Sequence, residues 1–129
     1  MNLLLDTHII LWWLSNDPSL SENHRKMISD SNNVCFISAA SIWEISIKTT
    51  LGKLVIPCNY IDELRSEGFK ELSITWRHSR LIRDLSLYHR DPFDRMLIAQ
   101  AKLENFTLLT VDEAVLQYDI TAECCNQVF

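Results

Sequence analysis

Apolar and polar residues alternate along the chain in blocks of two kinds, and the blocks themselves alternate. Asn2 to Leu5 is a short apolar run ending at Asp6, and Val34-Cys35-Phe36-Ile37 is a second one rich in β-favouring residues. Phe106–Leu109 is a later run of the same type, Glu71–Thr75 a weaker one, and a last strand is expected near Ile120–Ala122. Between them the spacing turns helical. Asp6-Thr7 caps a helix through about Leu14, Ser21 and Glu22 open an amphipathic one towards Asp30, and Ser38 caps Ala39–Leu51, closed by Gly52. Asn59–Glu67 is a helix ended by Gly68. Trp76–Tyr88 is read as one continuous helix with Leu81, Leu85 and Tyr88 on one side, and a short helix runs from Asp112 to about Tyr118.

The strongest helix start is His89-Arg90-Asp91-Pro92-Phe93-Asp94-Arg95, running on to Glu104. Asp91 suits the N-cap and Pro92 the first helical position, where its missing N–H costs nothing. Leu97, Ile98 and Ala101 form an apolar stripe behind them. Buried strands alternating with helices along the whole length predict an α/β fold with a parallel sheet covered on both faces. In such sheets ligands bind beyond the carboxyl ends of the strands. Asp6 and Asp112 follow their strands directly, so both are expected on that rim.

Composition narrows the field. At 129 residues and 47% hydrophobic the chain is expected to be a single domain, 1–129, with a real core. No run of about 18 apolar residues marks a membrane span, and the N-terminal apolar stretch lacks a basic flank or a small-residue cleavage site. The four cysteines show neither C-x-x-C nor metal-ligand spacing, which fits a reducing cytoplasm, and Cys35 reads as a small core hydrophobe. A net charge of −5 with no basic tract argues against bulk electrostatic gripping of nucleic acid. It is compatible with an enzyme whose negative charge is concentrated in a metal site.

Four acids are candidates for such a site, each with a structural alternative. Asp6 serves equally as an N-cap. Glu44 sits in Ser41-Ile42-Trp43-Glu44 inside the second turn of its helix, between apolar neighbours where a solvated glutamate is out of place. Asp94, on the third residue of its helix, also suits the helix dipole. In Thr110-Val111-Asp112-Glu113 the capping-box pair is Thr110 and Glu113, which leaves Asp112 without a structural task. Oxygen-only ligands favour a hard cation, Mg²⁺ or Mn²⁺, over zinc. A cation so held orients and acidifies water and offsets charge on a phosphoryl group, which suits phosphodiester hydrolysis. His8, His24, His78 and His89 have no partner at ligand spacing, and His24 and His78 are expected on helix surfaces. With two glycines in the chain there is no phosphate-cradling glycine-rich loop and no nucleophile elbow.

Taken together, Leu-Leu-Leu-Asp6-Thr7-His8, Ser41-Ile42-Trp43-Glu44-Ile45, Asp91-Pro92-Phe93-Asp94-Arg95-Met96-Leu97-Ile98-Ala99-Gln100-Ala101 and Thr110-Val111-Asp112 resemble a PIN domain. The nearest resemblance is to the VapC-type toxins of bacterial toxin–antitoxin pairs, and Lys48 with Gly52-Lys53-Leu54 adds to it. The resemblance implies a three-layer α/β/α, PIN-like fold and a Mg²⁺- or Mn²⁺-dependent ribonuclease acting on RNA. It also implies a small antitoxin partner and a homodimer. Its acidic positions map onto Asp6, Glu44, Asp94 and Asp112, with Asp91 left as a cap or outer-shell residue and Thr7 and Thr110 as supporting polar positions. Trp12, Trp13 and Trp43 lie near the acidic helices, where they serve either as core or as a dock for a partner's amphipathic segment. Two alternatives stand beside this reading. One is a non-catalytic PIN-like binding module. The other is a haloacid-dehalogenase-type phosphatase, which needs a second Asp two residues after Asp6, where this chain has His8.

Overall fold

A computed structural model describes residues 1–85, 91–111 and the backbone of 122–124. The expected helix from Asp112 to Tyr118, with Asp112 itself, Tyr88 and His89, lies outside the described residues. Five strands, β1 (Asn2–Leu5), β2 (Val34–Ser38), β3 (Lys70–Leu72), β4 (Thr107–Thr110) and β5 (Ala122–Cys124), form one sheet in the order β3-β2-β1-β4-β5. Every pairing is parallel, with Leu3 opposite both Cys35 and Thr107. The last strand thus falls two residues later than its apolar run suggests.

The helices are α1 (Thr7–Ser15), α2 (Glu22–Ser29), α3 (Ala39–Thr50), α4 (Tyr60–Ser66), α5 (Trp76–Leu81) and α6 (Pro92–Glu104). Period-two alternation in β1 sorts the core into two layers. Leu3 and Leu5 pack with Ile9, Ile10, Ile28, Ile45 and Leu64, while Leu4 packs on the other face with Leu97, Ile98, Ala101 and Leu108. The first layer is roofed by α1, α2 and α4 and the second by α5 and α6, which gives three layers. Both faces are buried, so β1 is apolar at consecutive positions rather than alternating.

Local chemistry explains the helix ends. Asp6, Ser21, Ser38, Thr75 and Asp91 all accept backbone N–H bonds at the starts of their helices. Asp91 Oδ1 takes the N–H of Phe93 at 2.9 Å and of Asp94 at 3.3 Å, with Pro92 in the first turn. Gly52 closes the α3 end at φ +72°, where a side chain would be strained.

The continuous helix expected over Trp76–Tyr88 is interrupted. Regular turns stop at Leu81, a 3₁₀ turn covers Ile82–Asp84, and Leu85 is extended. A buried arginine lies at the break: Arg95 Nη2 donates to the carbonyl of Ile82 at 2.9 Å, which also accepts from Leu85 N at 3.2 Å, and to that of Leu85 at 3.4 Å.

Two histidines expected on helix surfaces are instead buried. His78 completes a capping box, with Nδ1 accepting from Thr75 N at 3.1 Å and Nε2 facing Glu104 Oε1 at 3.0 Å. With Nδ1 accepting, the ring proton sits on Nε2 and is donated to Glu104. Nearby, Ser38 Oγ donates to Gln100 Oε1 at 2.6 Å and Gln100 Nε2 to Ser73 O at 3.3 Å, tying β2 to α6 through a buried polar bridge. His24 is fully buried, because His24 and Ile28 lie one turn apart on the inward stripe of α2, with Leu20 buried just before the helix. Neither of its ring nitrogens has a hydrogen-bond partner among the described residues.

Burial holds the His24 imidazole below its ordinary pKa of 6.5. In the window between that lowered value and 6.5 the unfolded chain binds a proton that the folded chain refuses, so stability falls as pH falls. His24→Leu removes two unpartnered polar atoms at similar volume. It is expected to raise stability by about 1–3 kcal/mol at pH 7, and the gain should grow at pH 5. Urea melts at the two pH values check this; a gain that shrinks on acidification contradicts it.

Candidate active site at the carboxyl edge of the sheet

The end of β1 lies beside the ends of β2 and β4, and the chain passes from β1 to β2 on one side and from β4 to β5 on the other. That is the topological switch point of an open parallel sheet. Asp6 is the residue that emerges there, buried, with its own N–H bonded to Leu109 O of β4 at 3.0 Å. Its Oδ1 accepts from Ile9 N at 2.9 Å and its Oδ2 from Val111 N at 3.3 Å, and the Thr110 hydroxyl also bonds the carboxylate. One side chain therefore ties β1, α1 and the exit of β4 together. Desolvation pushes its pKa above the ordinary 3.8, against the lowering pull of Thr110, the two N–H groups and His8. A carboxylate has about four acceptor directions; donors among the described residues fill three of them.

Glu44 projects from the second turn of α3 and its side chain is only 7% exposed. Thr7 Oγ1 donates to Glu44 Oε1 at 2.7 Å and lies 3.2 Å from Ser41 Oγ. The other oxygen, Oε2, takes Lys48 Nζ at 2.7 Å. Thr7 directly follows Asp6, so the two acids are joined through adjacent residues of the β1–α1 turn.

Asp94 lies in the first turn of α6, partly buried, one residue after Phe93. Phe93 packs edge-on against Trp43, ring centroids 5.1 Å apart, and Trp43 immediately precedes Glu44. Because α6 leads into β4, which runs parallel to β1, the start of α6 belongs to the same edge of the sheet as Asp6. Asp91 is occupied as the N-cap of α6. Asp112 would continue the chain past Val111 but lies outside the described residues. Among the described residues no three His, Cys, Asp or Glu side chains are gathered closely enough to hold an ion. The oxygens of Asp6 and Glu44 face protein donors instead.

Sequence reasoning missed Ser41 and the contact of Lys48 with Glu44. The i, i+4 spacing of Glu44 and Lys48 is the signal that could have found the latter. Of the three tryptophans read as core or dock, Trp12 and Trp13 pack against the core and Trp43 is exposed. Trp13 packs on Phe69 with centroids 5.9 Å apart and donates to Glu67 Oε2 at 2.9 Å, whereas Trp43 is 60% exposed against Phe93. Trp12 and Trp13 fall late in α1, far from its capped start, and pack on the core. An apolar groove lined by Ile37, Ala39, Ile42, Ile61, Leu64 and Phe69 opens between α3, α4 and β3.

The donors at this edge are carboxylates and hydroxyls, hard oxygen ligands of the kind Mg²⁺ and Mn²⁺ take. The fold is an α/β domain in which Asp6 and Glu44 are linked through Thr7 at the switch point of the sheet. Residues 3–120 match the family model of the PIN domain, and the chain belongs to that family. No curated protein matches the chain. Among solved structures it is similar to VapBC2 of Rickettsia felis bound to a promoter DNA fragment, with TM-score 0.73 and 16% identity over 96% of this chain and 98% of that one. It is also similar to VapBC-1 of nontypeable Haemophilus influenzae, with TM-score 0.70 and 18% identity over 98% of this chain and all of the other. A third is DNA-bound VapBC of Salmonella typhimurium, with TM-score 0.67 and 16% identity over 97% and 98%.

The raised pKa of Asp6 is a destabilising charge at neutral pH. Folded-state proton binding exceeds that of the unfolded chain between 3.8 and the raised value, so this group's contribution is lost as pH rises through that window. Asp6→Asn keeps one acceptor for Ile9 N and is expected to leave stability in the absence of metal unchanged or raised at pH 7. Thr7→Val strands a buried carboxylate oxygen and should cost about 1–3 kcal/mol. Thermal melts in EDTA test both, and a large loss in Asp6→Asn would assign that residue to capping alone.

Proposed function

We propose that this chain is a divalent-metal-dependent endoribonuclease and the toxin of a toxin–antitoxin pair. The observation that carries the reading is the linkage of Asp6 to Glu44 through Thr7 at the sheet's switch point, in a chain that belongs to the PIN-domain family. Asp6, Glu44, Asp94 and Asp112 would hold the cation, Mg²⁺ or Mn²⁺. A bound ion of this kind supplies Lewis acidity, lowering the pKa of water and offsetting charge on phosphoryl oxygens.

The protein's own part is orientation. Two backbone N–H groups and Thr110 fix the Asp6 carboxylate, and Thr7 fixes Glu44, so neither acid spends rotamer freedom on binding. Water, rather than the RNA 2′-hydroxyl, forms the new bond to phosphorus. The bond from phosphorus to the 3′ oxygen breaks, leaving a 5′-phosphate and a 3′-hydroxyl. The described residues hold no histidine pair suited to the alternative, since His78 is committed to Thr75 and Glu104 and His24 is sealed in the core.

Support for a protein partner comes from apolar surface beside the site. Trp43, Ile47 and Leu51 form an exposed stripe at i, i+4, i+8 along α3, next to the groove under Ile42. An amphipathic segment of a small antitoxin would bury it, and homodimerisation is the other use for such a face. The VapBC structures to which the fold is similar carry DNA in two of the three cases above; that contact is theirs.

A non-catalytic PIN-like binding module is the second reading, favoured by the absence of a gathered acidic trio among the described residues. One assay separates them. Purified protein should cleave single-stranded RNA with Mn²⁺ or Mg²⁺, stop in EDTA, recover on re-addition, and recover poorly with Ca²⁺, whose coordination is looser. Asp6→Asn, Glu44→Gln and Asp94→Asn should each lose more than the ~10–100-fold typical of removing an outer-shell partner. Cyclic-phosphate ends with activity intact in EDTA would reject the mechanism; folded protein inert on every RNA tried would favour the binding module.

A further inference from the structure

We propose that Lys48 is an internal counter-ion that competes with the divalent cation for Glu44 and gives up its place to a phosphodiester. The site would then take its ion weakly alone and more tightly with RNA bound. This rests on the metal-dependent reading above. Glu44 has one oxygen satisfied by Thr7 from the interior, and the other is held by Lys48 Nζ at 2.7 Å. A cation that takes Oε2 of Glu44 must approach the oxygen on which an ammonium already sits, and two like charges at that separation repel.

The two partners differ in how firmly they are held. The Glu44 side chain is 7% exposed and pinned at its inner oxygen, whereas that of Lys48 is 41% exposed on a flexible four-carbon stem. Displacement therefore moves the lysine and leaves the glutamate in place. The ammonium so released is a strongly hydrated point charge at the rim of an acidic site, the place where a substrate phosphate needs a positive partner. Arg95, the basic residue that follows Asp94, donates to the carbonyls of Ile82 and Leu85. An ordinary helix ion pair at i, i+4 has the same spacing. It would not couple ion affinity to an anionic ligand.

That coupling separates the two. Mn²⁺ is titrated calorimetrically into the full chain as wild type, Lys48→Met and Lys48→Arg, with circular dichroism confirming the fold of each. Every titration is repeated with a 2′-O-methyl oligoribonucleotide whose integrity is checked afterwards. Removing one charge at about 5 Å from a divalent ion corresponds, even at the dielectric of bulk water, to tightening on the order of tenfold, so Lys48→Met should bind Mn²⁺ at least about that much more tightly. Lys48→Arg, which keeps the charge, should stay near wild type. The oligonucleotide should tighten Mn²⁺ by a larger factor on wild type than on Lys48→Met, where only the direct attraction of ion and phosphate remains, and by linkage Mn²⁺ should tighten the oligonucleotide by the same factor in each protein. Equal or weaker Mn²⁺ binding by Lys48→Met overturns the role of Lys48 while leaving the ion site standing. An oligonucleotide effect no larger on wild type than on Lys48→Met overturns the exchange. Absence of Mn²⁺ binding in both proteins removes the ion site itself, and the proposal with it.

Discussion

The carboxylate of Asp6 is buried where the central strand ends, and the surrounding structure is arranged to tolerate it. Moving an ionised carboxyl out of water is costly unless donors replace the lost solvent. Here they come from three directions: the first turn of α1, the backbone just past β4, and the Thr110 hydroxyl. Those bonds also fasten neighbouring elements, so the same residue that costs desolvation energy fixes how β1, α1 and β4 meet. The pKa of Asp6 stays raised despite these donors. A divalent ion would offset what they leave uncompensated, which is the physical reason to read the residue as more than a helix cap.

Glu44 is handled differently. It gains a hydroxyl donor from Thr7 inside and a lysine outside, so both oxygens are paired without any ion. Neighbouring acids of one edge thus sit in unlike states, one desolvated among neutral donors and one balanced by a mobile cation. The difference arises from their carriers. Asp6 leaves a strand with its backbone committed to the sheet, whereas Glu44 rides on a helix that offers an i+4 partner on the same face.

Much of this was legible in the residues. Apolar runs marked β1, β2 and β4 within a residue or so, because strands buried on both faces leave no ambiguity of period. Capping residues located the starts of α1, α2, α3 and α6, since each has a side chain that can replace a missing backbone partner. Where expectation failed, a distant partner had decided the outcome. The helix after Trp76 gives way at Leu81, where Arg95 of the next helix donates to the carbonyls of Ile82 and Leu85, and nothing in the local sequence announces that contact. His24 lies on the inward stripe of α2 one turn before Ile28, a signal overlooked because histidine is usually read as polar. The tryptophans share a residue type but not a place, Trp13 lying against Phe69 and Trp43 against Phe93, since strand direction separates the late part of α1 from the edge where α6 begins.

The central claim is that acids brought to one edge of a parallel sheet form a single cation site. Anomalous diffraction from crystals of the full chain soaked in Mn²⁺ tests it most directly. The account expects one strong peak at the carboxyl edge of the sheet, within coordination distance of Asp6 and of at least one of Glu44, Asp94 and Asp112. A peak elsewhere on the molecule, or no peak at that edge under saturating Mn²⁺, would contradict it.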